Sequence, residues 1–283
     1  MKVYNPFVGW VEFKDTPEKI VSLDPSITET IYLLGADEKL VGVSSWCHKP
    51  KDALKKTKVG SYTHLLEDKV LELDPDLVFT TTGAQRGVLE RLLQLSIPTY
   101  PISYPKDLYS ILSMISDVGG LIGKTNEALN LCALMLESVN ELKGFARKDL
   151  RPRVYVEIDL GGPTIPAYFN HISHALHLAG LKNVFDDKRV DYLYGMEVKG
   201  YDVLNIVEEL KNRDPDIILF ESKSLTPSDD EGLEVMLSRG LTGLRAVKEE
   251  RVLTLPADTL AHYGPSFFRE ARSVIEKVWR LLK

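Results

Sequence analysis

The chain is poor in cysteine. Its 283 residues include only Cys47 and Cys132, which lie far apart and form no C-x-x-C pair. Two such cysteines are too few for a disulfide framework and do not match the ligand spacing of a thiolate metal site. We therefore expect two unpaired thiols and a fold that is held together by its apolar core.

An excess of positive charge is also absent. The chain has 35 lysines and arginines against 41 aspartates and glutamates, with a net charge of −6. No dense basic segment is available to follow a phosphate backbone, which argues against nucleic acid as a partner.

Long apolar runs are lacking as well. No window approaches the roughly 18 consecutive apolar residues that a membrane helix needs, and the segment Met1–Pro6 has no apolar signal region. Composition alone therefore leaves the cellular compartment open.

Short β-branched segments alternate with helical patterns along the chain, which is typical of an α/β fold with mostly parallel sheets. In the first half, Ser26 and Glu29 match the S-x-x-E capping box, which predicts a helix that Gly35 ends. The predicted strands are residues 20–23, 40–43, 76–79 and 97–100 in the first half, and 153–158, 217–220 and 252–255 in the second.

The two halves resemble each other weakly. A helix followed by Asp-Pro-Asp and an apolar strand occurs at residues 70–79 and again at residues 208–220. Between the halves, Thr125 to Lys148 has the apolar period of a helix long enough to connect two lobes. We therefore predict a first lobe over 1–123, a connecting helix over 124–149 and a second lobe over 150–283; one larger domain with a long surface helix is the alternative.

Sequence motifs for catalysis are missing or incomplete. The stretch from Val118 to Thr125 is similar to a phosphate-binding loop, but Val118 stands where glycine is required and a helical pattern precedes it. No G-x-S-x-G segment, the motif of a serine nucleophile, is present. With 41 aspartates and glutamates, the sequence does not single out a catalytic pair of carboxylates. These observations favour a protein that is not an enzyme.

Histidines offer a possible metal site. His171, His174 and His177 recur every three residues on a predicted helix, so only neighbouring pairs share a face. Further ligands such as His64 or His262 would be needed to complete a coordination sphere. A metal-ion receptor is therefore an open alternative.

Aromatic residues follow the ends of several predicted strands, where ligands bind in open α/β sheets. Aromatic faces at these positions in both halves would suit a large ring-containing ligand, and packing within each lobe is the alternative for any one of them. The residues are Trp46, Tyr62, Tyr168, Phe169, His262 and Tyr263.

Several segments, taken in order, resemble one family. They are Pro-Glu-Lys-Ile-Val-Ser-Leu-Asp-Pro-Ser-Ile-Thr-Glu at 17–29, Val-Gly-Val-Ser-Ser-Trp at 41–46, Val-Gly-Ser-Tyr at 59–62 and Leu-Asp-Pro-Asp-Leu-Val at 73–78. From about residue 8 onward the chain is similar to the periplasmic binding proteins of ABC importers for cobalamin, haem and iron-siderophores. It is most similar to the cobalamin-binding members.

The resemblance implies two Rossmann-like lobes joined by one long helix, with a ligand cleft between them. It also implies a monomer outside the cytoplasm that delivers a small molecule to a permease, and no cofactor. It assigns ring contacts to Trp46 and Tyr62, while Gly83 lies in a stretch that replaces a further aromatic contact. We expect backbone N–H groups at Ser26 and in the Gly161-Gly162 loop to meet the polar edge of the ligand.

The resemblance also predicts docking carboxylates, one on each lobe, for arginines of the permease. Asp68 occupies the first-lobe position beside Glu67, with aspartate in place of the usual glutamate. In the second lobe Tyr201 stands where glutamate is expected, and Asp202 follows it.

These features lead to the hypothesis of an importer binding protein for a corrinoid or a similar bulky metal chelate. An iron-siderophore or haem is an alternative ligand. The remaining alternatives are the metal-ion receptor and a cytoplasmic enzyme or sensor on the same scaffold.

Overall fold

The computed structural model describes residues 1–282. The chain forms two compact units. Unit 1 comprises Met1–Pro105 and Tyr109–Met135, and unit 2 comprises Lys106–Leu108 and the chain from Leu136 onward.

Unit 1 begins with an antiparallel hairpin of β1 (Lys2–Asn5) and β2 (Gly9–Glu12). Its inner face is anchored by the buried Asn5, whose side-chain amide donates to the Pro101 carbonyl at 2.9 Å. On the outer face Tyr4 and Trp10 form a cross-strand pair with ring centroids 5.5 Å apart. Such aromatic pairs stabilise a two-stranded ribbon.

A four-stranded parallel sheet forms the centre of unit 1, in the order β4-β3-β5-β6. Apolar side chains of β3 and β5, including Val21 and Val78, pack with Val59 and Leu92 into its core. The strands are β3 (Ile20–Ser22), β4 (Leu40–Val43), β5 (Leu77–Thr81) and β6 (Thr99–Ile102). The helices are α1 (Pro25–Leu33), α2 (Glu67–Leu73), α3 (Arg86–Gln94), α4 (Leu108–Leu121) and α5 (Thr125–Lys143), with 3₁₀ turns at Asp37–Lys39 and Lys51–Lys55. Leu108 of α4 and the part of α5 from Leu136 onward belong to unit 2.

The start of α1 differs from the predicted capping box. Asp24 is the N-cap, and its carboxylate accepts the backbone N–H groups of Ser26 at 2.8 Å and Ile27 at 3.2 Å. Pro25 occupies the first turn, where its missing N–H costs nothing. The capping-box interpretation of Ser26 and Glu29 was wrong because the helix begins one residue before Ser26.

Helix α5 ends at Lys143, five residues before the predicted end at Lys148. Gly144 donates its N–H to the carbonyls of Asn140 and Glu141, and Phe145 and Ala146 continue with short-range turn bonds. A glycine with such shared bonds is a common helix terminus. No helix within residues 1–282 is both long enough and apolar enough to span a membrane.

Unit 2 is built on a mixed sheet in the order β10-β8-β7-β11-β12, with β9 beside the start of β7. Strands β7, β11 and β12 are parallel, while β8 runs antiparallel to both β7 and β10. The strands are β7 (Arg153–Asp159), β8 (Pro163–Pro166), β9 (Lys182–Asn183), β10 (Tyr192–Tyr194), β11 (Ile217–Glu221) and β12 (Val252–Leu255). The helices are α6 (His171–Leu178), α7 (Ile206–Arg213), α8 (Glu231–Ser238), α9 (Arg245–Lys248) and α10 (Phe267–Leu281).

The repeated Asp-Pro-Asp segments make the same connection in each unit. The first aspartate of each ends a helix in the left-handed conformation, with φ of 47° and 38°. The second then bonds the start of its unit's central strand: Asp76 accepts the Lys19 N–H at 3.0 Å, and Asp216 accepts the Arg153 N–H at 2.8 Å. The internal similarity seen in the sequence thus corresponds to an equivalent structural device in the two units.

Candidate functional site

The carboxyl ends of the parallel strands of unit 1 lie at one edge of the sheet, where open α/β sheets bind ligands. We define the loop face of unit 1 as residues 44–48, 60–64, 81–85 and 103–105. The turn at 60–64 is joined to this edge because both the N–H and the hydroxyl of Ser45 donate to the Gly60 carbonyl at 2.8 Å. Trp46 and Tyr62 are consequently placed on the same face.

Trp46 follows β4 and is 59% exposed. Its backbone N–H donates to the Ser44 hydroxyl at 3.2 Å. The next residue, Cys47, is fully buried, with its thiol 3.1 Å from the Thr28 hydroxyl, and burial raises the pKa of this thiol. The buried cysteine anchors the turn, so the indole is presented to solvent on a fixed backbone.

Tyr62 lies half-buried in the turn that follows Gly60. Its hydroxyl is 3.1 Å from the Thr81 hydroxyl at the end of β5. Gly60 has φ of 147°, and a Cβ at this position would lie 2.1 Å from the His64 carbonyl oxygen. Only glycine fits the close approach that folds this turn.

Gln85 was not predicted, and it lies beneath the same turn with no exposed surface. Its side-chain oxygen accepts the N–H of Thr81 at 2.7 Å and the Thr81 hydroxyl at 3.2 Å. Its side-chain nitrogen donates to the carbonyls of Leu23 at 2.8 Å and Tyr62 at 3.1 Å. The side-chain amide of Gln85 therefore connects three segments of the chain, at Leu23, Tyr62 and Thr81.

Gly83 is exposed, has φ of 90° and has no atom within 4 Å of the position of a Cβ. The neighbouring Thr82 hydroxyl accepts the N–H of Tyr104 at 2.9 Å. Tyr104 is a second residue that sequence reasoning missed. The predicted strand ended at residue 100, whereas β6 ends at Ile102, so Tyr104 lies two residues after a strand end.

Ser26 is only 1% exposed, and its N–H is already bonded to Asp24. The structure therefore does not support the expected ligand contact through the Ser26 amide.

The four segments of the loop face of unit 1 contain no lysine, arginine, aspartate or glutamate, and Lys49, Arg86 and Lys106 directly follow three of them. His48 and His64 are the only residues in the four segments that can become positively charged. Aromatic rings, hydroxyls and backbone amides make up the rest. This chemistry suits an uncharged ligand with flat apolar faces and a polar rim.

In unit 2 the loop after β12 carries His262 and Tyr263, which are 4% and 6% exposed. This loop is held by the buried carboxylate of Glu221 at the end of β11, which accepts the N–H groups of Asp258 at 3.0 Å and Leu260 at 2.5 Å. Burial raises the pKa of Glu221 to about 8, although the backbone N–H donors oppose the shift. The predicted roles of His262 and Tyr263 in ligand binding stay predictions.

Tyr168 and Phe169 do not follow the carboxyl end of β7 as expected. Strand β8 intervenes and runs antiparallel to β7, with Thr164 opposite Ile158. Continuing this register carries the chain back toward the start of β7 before it reaches Tyr168. The Tyr168 ring packs against the Arg189 guanidinium, 3.8 Å from the ring centroid, so the basis for placing these two aromatics at the ligand edge was wrong.

Three other tyrosines of unit 2 form a cluster that sequence reasoning missed. Tyr194 is the last residue of β10, which runs parallel to β7, and its ring centroid is 6.3 Å from that of Tyr192 and 4.8 Å from that of Tyr201. Burial raises the pKa of Tyr194. The alternation in Tyr-Leu-Tyr was the available signal, but the segment is only three residues long.

The predicted docking carboxylates differ in their surroundings. The Glu67 carboxylate accepts hydrogen bonds from Nε and Nη2 of Arg91, each at 2.6 Å, and these bonds lower the pKa of Glu67. Asp68 and Asp202 are exposed, and neither forms an ion pair with another residue in the range 1–282.

The histidines of α6 have separate local partners. His171 Nε2 lies 3.0 Å from the Leu260 carbonyl, His174 Nδ1 accepts the Leu108 N–H at 3.2 Å, and His177 contacts Asp186 at 2.7 Å. Burial lowers the pKa of His171 to about 4. Among residues 1–282, no three or more His, Cys, Asp or Glu side chains are placed to hold a metal ion.

Comparison with known proteins gives the family. A substrate-binding lipoprotein of an ABC transporter in Bacillus subtilis is 26% identical, and the match covers 95% of this chain and 82% of that protein. The vitamin B12-binding protein of Yersinia pestis is 27% identical, over 62% of each chain.

Solved structures share the fold. The periplasmic vitamin B12 binding protein of Vibrio cholerae matches with a TM-score of 0.75 and 22% identity, over 94% of this chain and 98% of the other. The periplasmic heme-binding protein of Roseiflexus matches with a TM-score of 0.77 and 22% identity, over 94% and 99%. The family model described as periplasmic binding protein matches residues 20–259, and the chain therefore belongs to the periplasmic binding protein family.

Proposed function

We propose that this protein is the substrate-binding component of an ABC importer and that it binds an uncharged corrinoid, such as cobalamin, against the loop face of unit 1. The observation that carries the proposal is the exposed Trp46 indole on the same loop face as Tyr62, in segments that contain no lysine, arginine, aspartate or glutamate. The vitamin B12-binding and transporter relatives support the same ligand class and the same role.

The chemistry of the loop face favours a neutral ring over an anionic chelate. Anionic groups such as carboxylates and catecholates are bound most strongly by arginine or lysine. The four segments of the face contain neither residue. A corrin ring instead gains from aromatic contact over its apolar surface, and its amide groups can bond to the hydroxyls and backbone of the face.

The protein acts by reversible binding outside the cytoplasm, followed by delivery to a permease. Asp68 and Asp202 are the docking carboxylates in this proposal because they are exposed and carry no ion pair within residues 1–282. Glu67 is less suited to docking, since a permease arginine would have to displace Arg91.

Isothermal titration with cyanocobalamin, haemin and a ferric tris-catecholate tests the ligand class. We expect cyanocobalamin to bind and the tris-catecholate to bind at least tenfold more weakly. Trp46→Ala should weaken cyanocobalamin binding about 10- to 30-fold, as loss of a central aromatic contact does.

Trp10→Ala is the matched control, because Trp10 is 64% exposed in the same unit but lies on the outer face of the hairpin. Trp10→Ala should bind cyanocobalamin with the same affinity as the parent. Equal cyanocobalamin affinity in Trp46→Ala, or a preference for haemin or the tris-catecholate, would contradict the proposal.

A further inference from the structure

Gln85 lies directly before α3 and has no exposed surface, so it cannot touch a ligand itself. A glutamine amide has two donor hydrogens and an oxygen with two acceptor positions. All four are used, with two bonds to Thr81 and one each to the carbonyls of Leu23 and Tyr62. Buried amides with every position satisfied hold their partners in one arrangement.

The bonds around Gln85 form a closed ring that includes Tyr62. The Thr81 hydroxyl donates its single hydrogen to the Gln85 side-chain oxygen, so in its contact with Tyr62 it accepts the phenolic hydrogen. The Gln85 nitrogen returns to the Tyr62 carbonyl. Tyr62 is thereby held at both ends, through its hydroxyl and through its backbone.

Other side chains cannot reproduce this ring. Glutamate would place an acceptor oxygen against the carbonyls of Leu23 and Tyr62, where the glutamine donates. Leucine would leave those two carbonyls without the amide donor, and unsatisfied buried groups are costly. Asparagine is one methylene shorter and would not reach all three segments.

We propose that Gln85 is a positioning residue that sets the place of Tyr62 on the loop face of unit 1, so that affinity for a ring ligand depends on a side chain the ligand never contacts. This inference rests on the proposed function for its effect on binding. The ring of hydrogen bonds itself can be tested without any ligand.

A double-mutant cycle tests the dependence. Cyanocobalamin affinity is measured for the parent, Gln85→Glu, Tyr62→Ala and the double variant. We expect Gln85→Glu to weaken binding about tenfold in the parent and less than twofold when Tyr62 is already alanine, because residues that act through one contact are not additive. An equal loss in both backgrounds would overturn the proposal, since a general structural defect acts independently of Tyr62.

Gln94→Glu is the control, because Gln94 ends α3 and is exposed. It should bind cyanocobalamin as the parent does. If Gln85→Glu fails to fold, Thr81→Val opens the same ring with little change of volume and should show the same dependence on Tyr62.

The ligand-free readout is NMR of the apo protein. The Tyr62 ring and backbone signals should move in Gln85→Glu relative to the parent, because the donor to the Tyr62 carbonyl is lost, while Gln94→Glu leaves them unchanged. Unaltered Tyr62 signals in Gln85→Glu would overturn the positioning role. If cyanocobalamin fails to bind the parent, the proposed function is lost and this spectrum alone decides the role of Gln85.

Discussion

Two buried ionisable residues of unit 2 hold the same loop residue from opposite sides. Glu221 accepts the N–H of Leu260, and His171 Nε2 lies 3.0 Å from the Leu260 carbonyl. Burial disfavours the charged form of each, raising the pKa of Glu221 to about 8 and lowering the pKa of His171 to about 4. Their effects on stability therefore have opposite dependence on pH.

The pH dependence of unfolding follows from these shifts. Neutral His171 loses its contribution to stability as pH falls from 6.5 toward 4, and Glu221 loses its contribution as pH rises from 4.5 toward 8. Below pH 6.5 the two residues change the free energy of unfolding with pH in opposite directions, so their effects offset each other. Between pH 6.5 and 8, Glu221 is the one of these two residues that still changes its contribution, and it lowers the free energy of unfolding by up to about 1 kcal/mol per pH unit.

Urea unfolding at pH 6.5 and pH 8 measures this fall in stability. We expect the parent and the exposed control Glu234→Gln to lose stability over this interval, and Glu221→Gln to lose much less. The same fall in Glu221→Gln would show that other groups are responsible.

At the scale of single elements, the N-cap of α1 differs between the structure and the sequence pattern. The structure assigns the cap to Asp24, whereas the capping-box pattern assigns it to Ser26. Asp24→Ala should lower the free energy of unfolding by about 1–2 kcal/mol, and Ser26→Ala by less than about 0.5 kcal/mol. Chemical denaturation decides between them, and a larger loss in Ser26→Ala would restore the capping box.

Elements with a clear local pattern were predictable from the sequence. The first and last residues of β4 and β12 match the predicted strands. Short apolar, β-branched segments bounded by charged or turn residues favour a strand over a helix. Strand β8 was not predicted, since Gly161, Gly162 and two prolines are typical of a loop. It forms because Thr164 and Ile165 find partners in β7 and β10, and only the tertiary fold supplies those partners.

The same distinction applies to the candidate site. The position of Trp46 could be predicted because it follows the end of β4, whereas Tyr62 lies in a turn that follows no strand. Gln85 carried no signal, since its importance comes from bonds to Leu23 and Tyr62, which are distant in sequence. Tyr168 and Phe169 were misplaced for the corresponding reason, because an unpredicted strand lies between them and β7.

At the scale of the whole molecule, the chain repeats one construction in its two units. Asp76 and Asp216 each bond the start of the strand at the centre of their sheet. The loop face then depends on contacts that no repeat supplies, such as the bonds from Ser45 to Gly60. The fold could therefore be predicted from local patterns and family resemblance, whereas the ligand depends on the chemistry of the loops.

The most direct test of the account is hydrogen–deuterium exchange with and without cyanocobalamin. If the loop face of unit 1 binds a corrinoid, cyanocobalamin should slow exchange in peptides covering residues 44–48, 60–64, 81–85 and 103–105, and should leave the hairpin of β1 and β2 unchanged. Unchanged exchange in all four segments, or protection confined to other parts of the chain, would contradict it.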